Sequence, residues 1–225
     1  GCASSGKTEF GAVWALTEYL CKPPTTLCLV TSTSLEAARK RIWGSIKEFY
    51  LAMTCEKGMT RGSKLVDSMA KLKARVPGEN GWSDKAGIQL VACEQGKDNE
   101  AIGKLIGMKQ HKVVVVADEL PELSESILNA ALGNLNKNPQ FQLIGIGNHK
   151  SIVDAFGKFS EPKEGWRSVD VGVTRWETKL GVCVRFDGAQ SPNLRYKEDK
   201  WPIYGNKQYR EDQAILGPNS VLYWR

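Results

Sequence analysis

The chain has 225 residues, of which 41% are hydrophobic and 25% charged, an ordinary balance for a globular domain with one full core. It contains no run of about 18 apolar residues and no signal-peptide pattern at its start, so no membrane-spanning or secreted class is predicted. The net charge of +6 favours an anionic partner.

Six cysteines are scattered along the chain without a C-x-x-C pair, and only two histidines accompany them. This spacing excludes the usual zinc sites and favours buried free thiols in a reducing cytoplasm. The cysteines are Cys2, Cys21, Cys28, Cys55, Cys93 and Cys183.

The first eight residues, GCASSGKT, fit the phosphate-loop pattern G-x-x-x-x-G-K-[ST] at every fixed position. In such a loop, backbone N–H groups and a helix N-terminus surround the phosphates of a nucleotide. Lys7 is expected to reach the β- and γ-phosphates of ATP, and the Thr8 hydroxyl to bind Mg²⁺. The predicted nucleotide-binding residues are Gly1, Ser4, Ser5, Gly6, Lys7 and Thr8. Because a phosphate loop follows a β-strand, the first strand of the fold is expected upstream of Gly1.

A helix over residues 8–20 is predicted to leave this loop, with Phe10 and Val13 among the residues of its apolar stripe. The apolar run 27–30 then predicts a strand that is buried on both faces.

Ser34 is predicted to cap a helix that runs to about residue 51. After it the periodicity loosens and the charge becomes one-sided, because six cations face only Asp67. These cations could contact a phosphate backbone or form a solvated basic face, and the sequence leaves both open. They are Lys57, Arg61, Lys64, Lys71, Lys73 and Arg75.

Further strands are predicted over 88–92, 113–117 and 142–147, and helices over 101–106 and 122–135. Short β-like pieces, 169–173 and 182–186, follow Trp166. The sequence therefore predicts an α/β P-loop NTPase core over residues 1–166, with a mainly parallel sheet flanked by helices. A short β-containing linker region is predicted over 167–225. Four tryptophans are expected to be core or interdomain anchors: Trp166, Trp176, Trp201 and Trp224.

Asp118 and Glu119 directly follow the four-valine strand, which is the Walker B arrangement. Ligands of open α/β sheets bind at the carboxyl ends of the strands, so both carboxylates are expected near the phosphate loop. Asp118 is predicted to hold Mg²⁺, and Glu119 to polarise the attacking water. Asn148, after the next strand, is a candidate γ-phosphate sensor; alternatively, it caps the loop before Ser151.

The order of these parts resembles the large terminase subunit of tailed bacteriophages, the motor that packages DNA. The resemblance rests on the P-loop, the Walker B strand over 113–119 and the segment Gly-Ile-Gly-Asn over 145–148. It also rests on the stretch FDGAQSPNL over 186–194 and on the final SVLYWR over 220–225.

The resemblance implies an ATPase that uses ATP and Mg²⁺ to drive double-stranded DNA into a procapsid. It implies a homo-oligomeric ring, usually a pentamer, that works with the portal protein and the small terminase subunit. The location would be the host cytoplasm and, transiently, the procapsid. Members usually carry a C-terminal nuclease domain, to which no residue here is assigned.

Many members of that family place an arginine inside the P-loop, whereas residues 2–5 here are Cys-Ala-Ser-Ser. An arginine finger would therefore come from elsewhere, for example in trans from a neighbouring subunit, and the sequence leaves four candidates open: Arg39, Arg41, Arg61 and Arg75. Two other functions stay open. One is a helicase or another nucleic-acid-dependent P-loop ATPase, and the other is an assembly scaffold that binds nucleotide without turnover.

Overall fold

The computed structural model describes residues 5–57, 62–93, 99, 102–103, 110–133, 138–148, 150–170 and 172–216. Gly1, Ser4, most of the predicted helix 101–106 and the tail beyond residue 216 lie outside the described residues. The chain forms two compact units. The first comprises Thr8–Ile146, and the second comprises Gly1–Lys7 together with Gly147–Arg225.

The first unit is built on a six-stranded sheet in the order β2-β3-β4-β1-β5-β6. The strands are β1 (Thr26–Ser32), β2 (Ser63–Val66), β3 (Lys71–Ala74), β4 (Ser83–Ala92), β5 (Lys112–Ala117) and β6 (Phe141–Gly145). β4, β1, β5 and β6 are parallel, whereas β3 pairs antiparallel with both β2 and β4. The predicted α/β class with a mainly parallel sheet is confirmed.

Helices flank this sheet. They are α1 (Lys7–Cys21), α2 (Leu35–Ala38), a π-helix (Arg39–Trp43), α3 (Gly44–Lys57) and α4 (Glu125–Leu132). The α2, π and α3 segments are consecutive, so the single helix predicted after Ser34 contains a π-helical turn. Ser34 caps it as predicted, because its Oγ accepts a hydrogen bond from Ala37 N at 3.1 Å.

The buried face of α1 differs from the predicted apolar stripe. Phe10 and Val13 are 51% and 41% exposed, while Ala12 and Ala15 are fully buried. The helix lies close to the sheet, since a Cβ placed on Gly11 would be 2.6 Å from Ile146 Cδ1. Phe10 and Val13 were therefore assigned to the wrong face of the helix, whereas Leu16, which belongs to the same predicted stripe, is fully buried.

The segment that the sequence described as loosely periodic contains the antiparallel strands β2 and β3. β4 is also longer than predicted, because its pairing with β3 continues past a register shift next to Lys73. At this bulge the φ of Gly87 is +139°, and a Cβ there would lie 1.9 Å from Leu72 O. Only glycine fits such a close approach of two backbones.

The second unit contains α5 (Ala155–Phe159), α6 (Asn206–Leu216) and a two-stranded ribbon of β7 (Arg175–Glu177) and β8 (Val182–Val184). The described residues of 169–173 contain no strand, so that prediction is wrong. The sequence also missed α6, whose polar composition lacks a clear apolar stripe. No helix in the described part of the chain is long and apolar enough to cross a membrane.

A buried asparagine organises the loop before α6. Asn193 is fully buried, and its Nδ2 donates to Trp201 O at 2.9 Å. Its Oδ1 accepts hydrogen bonds from Lys200 N and Trp201 N at 3.0 and 3.1 Å. The Trp201 side chain itself is 44% exposed, so it is not the core anchor that was predicted. Trp176 is anchored, since its indole N–H donates to Ser160 O at 2.8 Å.

The described cysteines are free thiols, but only two of them, Cys28 and Cys93, are buried. Burial raises the pKa of the Cys28 thiol above its usual range. Cys21 is exposed, contrary to the prediction, and partial burial raises the pKa of Cys183 to about 11. Cys2 and the side chain of Cys55 lie outside the described residues.

Candidate active site

The carboxyl ends of the parallel strands meet at one edge of the sheet in the first unit. Asp118 N donates to Thr31 O, and Cys93 N donates to Ser32 O, both at 2.9 Å. The chain segments leaving β5 and β4 therefore lie on either side of the end of β1. Asp118 is only 2% exposed. This edge is the position where open α/β sheets bind their ligands.

Glu119 has a left-handed backbone conformation, with φ 55° and ψ 45°. A side chain with a Cβ rarely adopts this region, and such strained residues cluster at functional sites. Two backbone hydrogen bonds hold this turn. Leu120 N donates to Ile146 O at 2.9 Å, and Glu122 N donates to Glu119 O at 2.8 Å. The backbone therefore turns away from the direction of β5 at Glu119, immediately after Asp118.

Arg41 holds the Glu119 side chain. Its Nη1 donates to Glu119 Oε1 at 2.9 Å, and the two side chains are 52% and 34% exposed. Arg41 lies in the π-helical turn, a local geometry that is frequent at functional sites. Arg39, which is also a candidate for the arginine finger, does not contact Glu119 in this way; it donates to Ser68 O at 2.8 Å. The sequence placed Arg41 among the candidate arginines but gave no signal that it contacts Glu119.

Two hydroxyl groups add polar atoms to the same edge. Thr31 Oγ1 and Ser32 Oγ are buried at the end of β1 and have no hydrogen-bond partner within the described residues. Carboxylate and hydroxyl oxygens are the donors that Mg²⁺ prefers. No group of three metal-binding His, Cys, Asp or Glu side chains occurs in the described ranges. Mg²⁺ is often held by one or two carboxylates together with phosphates, and the buried Asp118 at this edge is compatible with such a site.

The described part of the phosphate loop belongs to the second unit. The φ of Gly6 is +75°, which is the conformation that requires glycine at this position. Lys7 begins α1, and its Nζ donates to Ser5 Oγ at 3.2 Å. The geometry of Gly6 is compatible with a phosphate loop.

Asn148 also belongs to the second unit. Its Oδ1 is buried and has no hydrogen-bond partner among the residues described. The loop before Ser151 is held by Asp154, whose Oδ2 accepts from Ser151 N at 3.0 Å. Asp154 thus satisfies that N–H, and both roles for Asn148 stay predictions.

Thr8, Asp118 and Glu119 lie in the first unit, and Ser5, Gly6, Lys7 and Asn148 lie in the second. Within the first unit the structure brings Glu119 together with Arg41. The predicted meeting of the lysine and the sensor with the two carboxylates stays a prediction.

The sequence matches no protein-family model, and the search of curated proteins gives no match. Among solved structures, the chain is similar to a mutant of the Thermus phage P74-26 large terminase ATPase domain, with 16% identity and a TM-score of 0.45. The alignment covers 66% of this chain and 58% of that domain.

The chain is also similar to the large terminase from a second thermophilic bacteriophage, with 12% identity and a TM-score of 0.45. Here the alignment covers 74% of this chain but 34% of that protein. The chain therefore spans little more than half the length of the first of these structures and about a third of the length of the second.

Proposed function

We propose that this chain is an ATP-hydrolysing motor subunit that translocates double-stranded viral DNA, of the large terminase kind. The observation that carries the proposal is the pair of consecutive carboxylates at the carboxyl end of β5, with Glu119 fixed in a strained turn and held by Arg41. The phosphate-loop sequence at residues 1–8 supplies the matching nucleotide-binding signature.

Each residue has a distinct role in this proposal. Lys7 and the loop N–H groups bind the phosphates of ATP, while Thr8 and Asp118 would hold Mg²⁺. When bound, the ion supplies charge neutralisation at the phosphates. Glu119 orients the attacking water and accepts its proton. Arg41 occupies one carboxylate oxygen, Oε1, and leaves the other for water.

Asn148 would couple loss of the γ-phosphate to movement. Support comes from the backbone, because Leu120 N donates to Ile146 O directly after the catalytic carboxylates. A change in the turn at Glu119 would therefore pull on Ile146, which directly follows β6 and lies two residues before Asn148. In the cell, the subunit would act in the host cytoplasm and at the procapsid, as part of a ring with the portal protein and the small terminase subunit.

The test is ATP hydrolysis with and without double-stranded DNA, comparing the wild-type protein with Glu119→Gln. Loss of a general base costs about 10²- to 10⁴-fold in rate, so turnover is expected to fall by that factor while ATP binding is retained. Glu125→Gln, which changes an exposed carboxylate at the start of α4, is the matched control and is expected to keep wild-type turnover. Turnover that survives in Glu119→Gln would refute the catalytic assignment.

Nucleotide binding is tested separately with Lys7→Ala. Loss of the ammonium group is expected to weaken ATP binding, and an unchanged affinity would refute the P-loop assignment.

Two further results would favour the alternative functions. Strand separation on a forked duplex would favour a helicase. ATP binding without hydrolysis, even with DNA and partner proteins present, would favour an assembly scaffold.

A further inference from the structure

We infer that one face of the antiparallel part of the sheet, formed by β2, β3 and the start of β4, binds the phosphate backbone of duplex DNA. This basic face is formed by Lys64, Lys71 and Lys73. Two neighbouring cations are counted with it: Arg75, which directly follows β3, and Lys85, near the start of β4. The inference rests on the proposed function, and it adds where on the chain the DNA lies.

The strand register places three of these lysines on the same side of the sheet. Lys64 is directly opposite Lys73 in the β2–β3 pair, and Lys71 is two residues from Lys73 along β3. Adjacent strands are about 4.8 Å apart, and alternate residues about 6.7 Å apart along a strand. The lysines therefore form a compact array rather than a line of separate surface charges.

Within the described ranges, the ion pairs of this face involve only two carboxylates. Lys71 and Lys73 share a single carboxylate, Asp84, at 3.1 and 2.9 Å. The hydrogen bond from Lys73 and the charges of both lysines hold the pKa of Asp84 below its usual value. Lys85 pairs with Glu79 at 2.5 Å, whereas Lys64 is exposed and lies across from another cation. The face retains an excess of positive charge.

Placing these cations next to one another lowers the stability of the folded protein, whereas cations spread over a solvated surface would not. Like charges directly opposite one another across a strand pair are destabilising. The side chains of Lys71 and Lys73 are only 23% and 16% exposed, so their rotamer freedom is reduced as well. A polyanion would offset both effects, because it neutralises cations that are already held in position.

Arg75 and Trp82 indicate which nucleic acid fits. The Arg75 guanidinium lies over the Trp82 ring, 5.0 Å from its centroid. This stacking orders the guanidinium and covers one face of the indole. Single-stranded nucleic acids are bound through open aromatic faces on which bases stack, whereas a duplex is gripped through its phosphates. The basic face has the features of backbone contact.

The test compares two triple variants that each lower the net charge by three. The first, Lys64→Gln, Lys73→Gln and Lys85→Gln, removes charge from the basic face. The second, Lys163→Gln, Lys179→Gln and Lys207→Gln, removes charge from the other unit. The variants are matched, because Lys73 and Lys85 in the first and Lys179 and Lys207 in the second are ion-paired.

Binding to a short duplex DNA is measured by fluorescence anisotropy between about 50 and 200 mM salt. Each phosphate contact contributes about 0.9 to the slope of log affinity against log salt, so the first variant is expected to lose about 2 to 3 from that slope and at least tenfold in affinity. The second is expected to keep the wild-type slope. Hydrolysis of ATP without DNA is expected to be the same in all three proteins, which shows that each is folded.

Equal losses in the two variants would overturn the inference, because the effect would then follow total charge rather than this face. A wild-type slope in the first variant would overturn it too, as would a loss confined to single-stranded DNA. In these cases the proposed function survives if the wild-type protein hydrolyses ATP in response to duplex DNA. A wild-type protein that neither binds duplex DNA nor hydrolyses ATP refutes the proposed function, and the inference with it.

Discussion

Replacing Glu119 by glycine is expected to give a more stable protein than replacing it by alanine. Both variants lose the ion pair with Arg41, so the difference between them isolates the backbone at φ 55°. The left-handed conformation costs an alanine about 1 to 2 kcal/mol. Glycine avoids this strain but loses about 0.5 to 1 kcal/mol more in conformational entropy on folding.

The expected net advantage of glycine over alanine at position 119 is about 0.5 to 1 kcal/mol. For a chain of this size that corresponds to about 1 to 4 °C in melting temperature. The assay is thermal and urea unfolding followed by circular dichroism. Position 125, in the first turn of α4, is the control, since glycine in a right-handed helix is about 1 kcal/mol worse than alanine. If the glycine variant at position 119 is no more stable than the alanine variant, the claim that the backbone at Glu119 is strained is refuted.

Three other substitutions test a close backbone contact, an ion pair and a buried side chain. Gly87→Ala is expected to destabilise the protein by about 3 kcal/mol or more in urea unfolding, because its Cβ would overlap backbone, whereas Gly78→Ala, with open space around it, is expected to cost about 1 kcal/mol. Hydrogen bonds from Lys47 and Trp43 lower the pKa of Asp67, so the stability that Asp67→Asn removes is expected at neutral pH and lost as the pH falls through that lowered pKa; a pH-independent difference would contradict it. Asn193→Ala removes three hydrogen bonds between a fully buried side chain and the backbone of Lys200 and Trp201 and is expected to cost about 3 kcal/mol in urea unfolding; an unchanged stability would contradict it.

The helix predicted after Ser34 begins at the predicted residue, but it is interrupted by a π-helical turn that the sequence did not predict. The spacing of its buried residues explains this turn. The buried residues Ala38, Ile42, Ile46 and Tyr50 recur every four positions, which is wider than the 3.6-residue period of an α-helix. Over that length an unbroken α-helix would rotate the last residue far from the first. One wider turn absorbs the extra residue and keeps all four on the sheet. The spacing was present in the sequence, but a single-period template cannot use it.

The site divides in the same way between local and long-range information. Asp118 and Glu119 were predicted at a strand end because a four-valine run followed by two acids is a local pattern. The contact between Arg41 and Glu119 joins residues 78 positions apart, and it depends on the strand order and on the π-helical turn. The left-handed backbone at Glu119 likewise follows from hydrogen bonds that reach the residue after β6. No local pattern specifies these features.

The two edges of the six-stranded sheet differ in how they would meet another molecule of the same protein. Exposed strand edges pair readily with other chains, and charged side chains, lysine above all, discourage such pairing. The β2 edge carries Lys64, while the opposite edge strand, β6, has the sequence Phe-Gln-Leu-Ile-Gly without a charge. Self-association by strand pairing at high concentration is therefore expected at β6 rather than at β2.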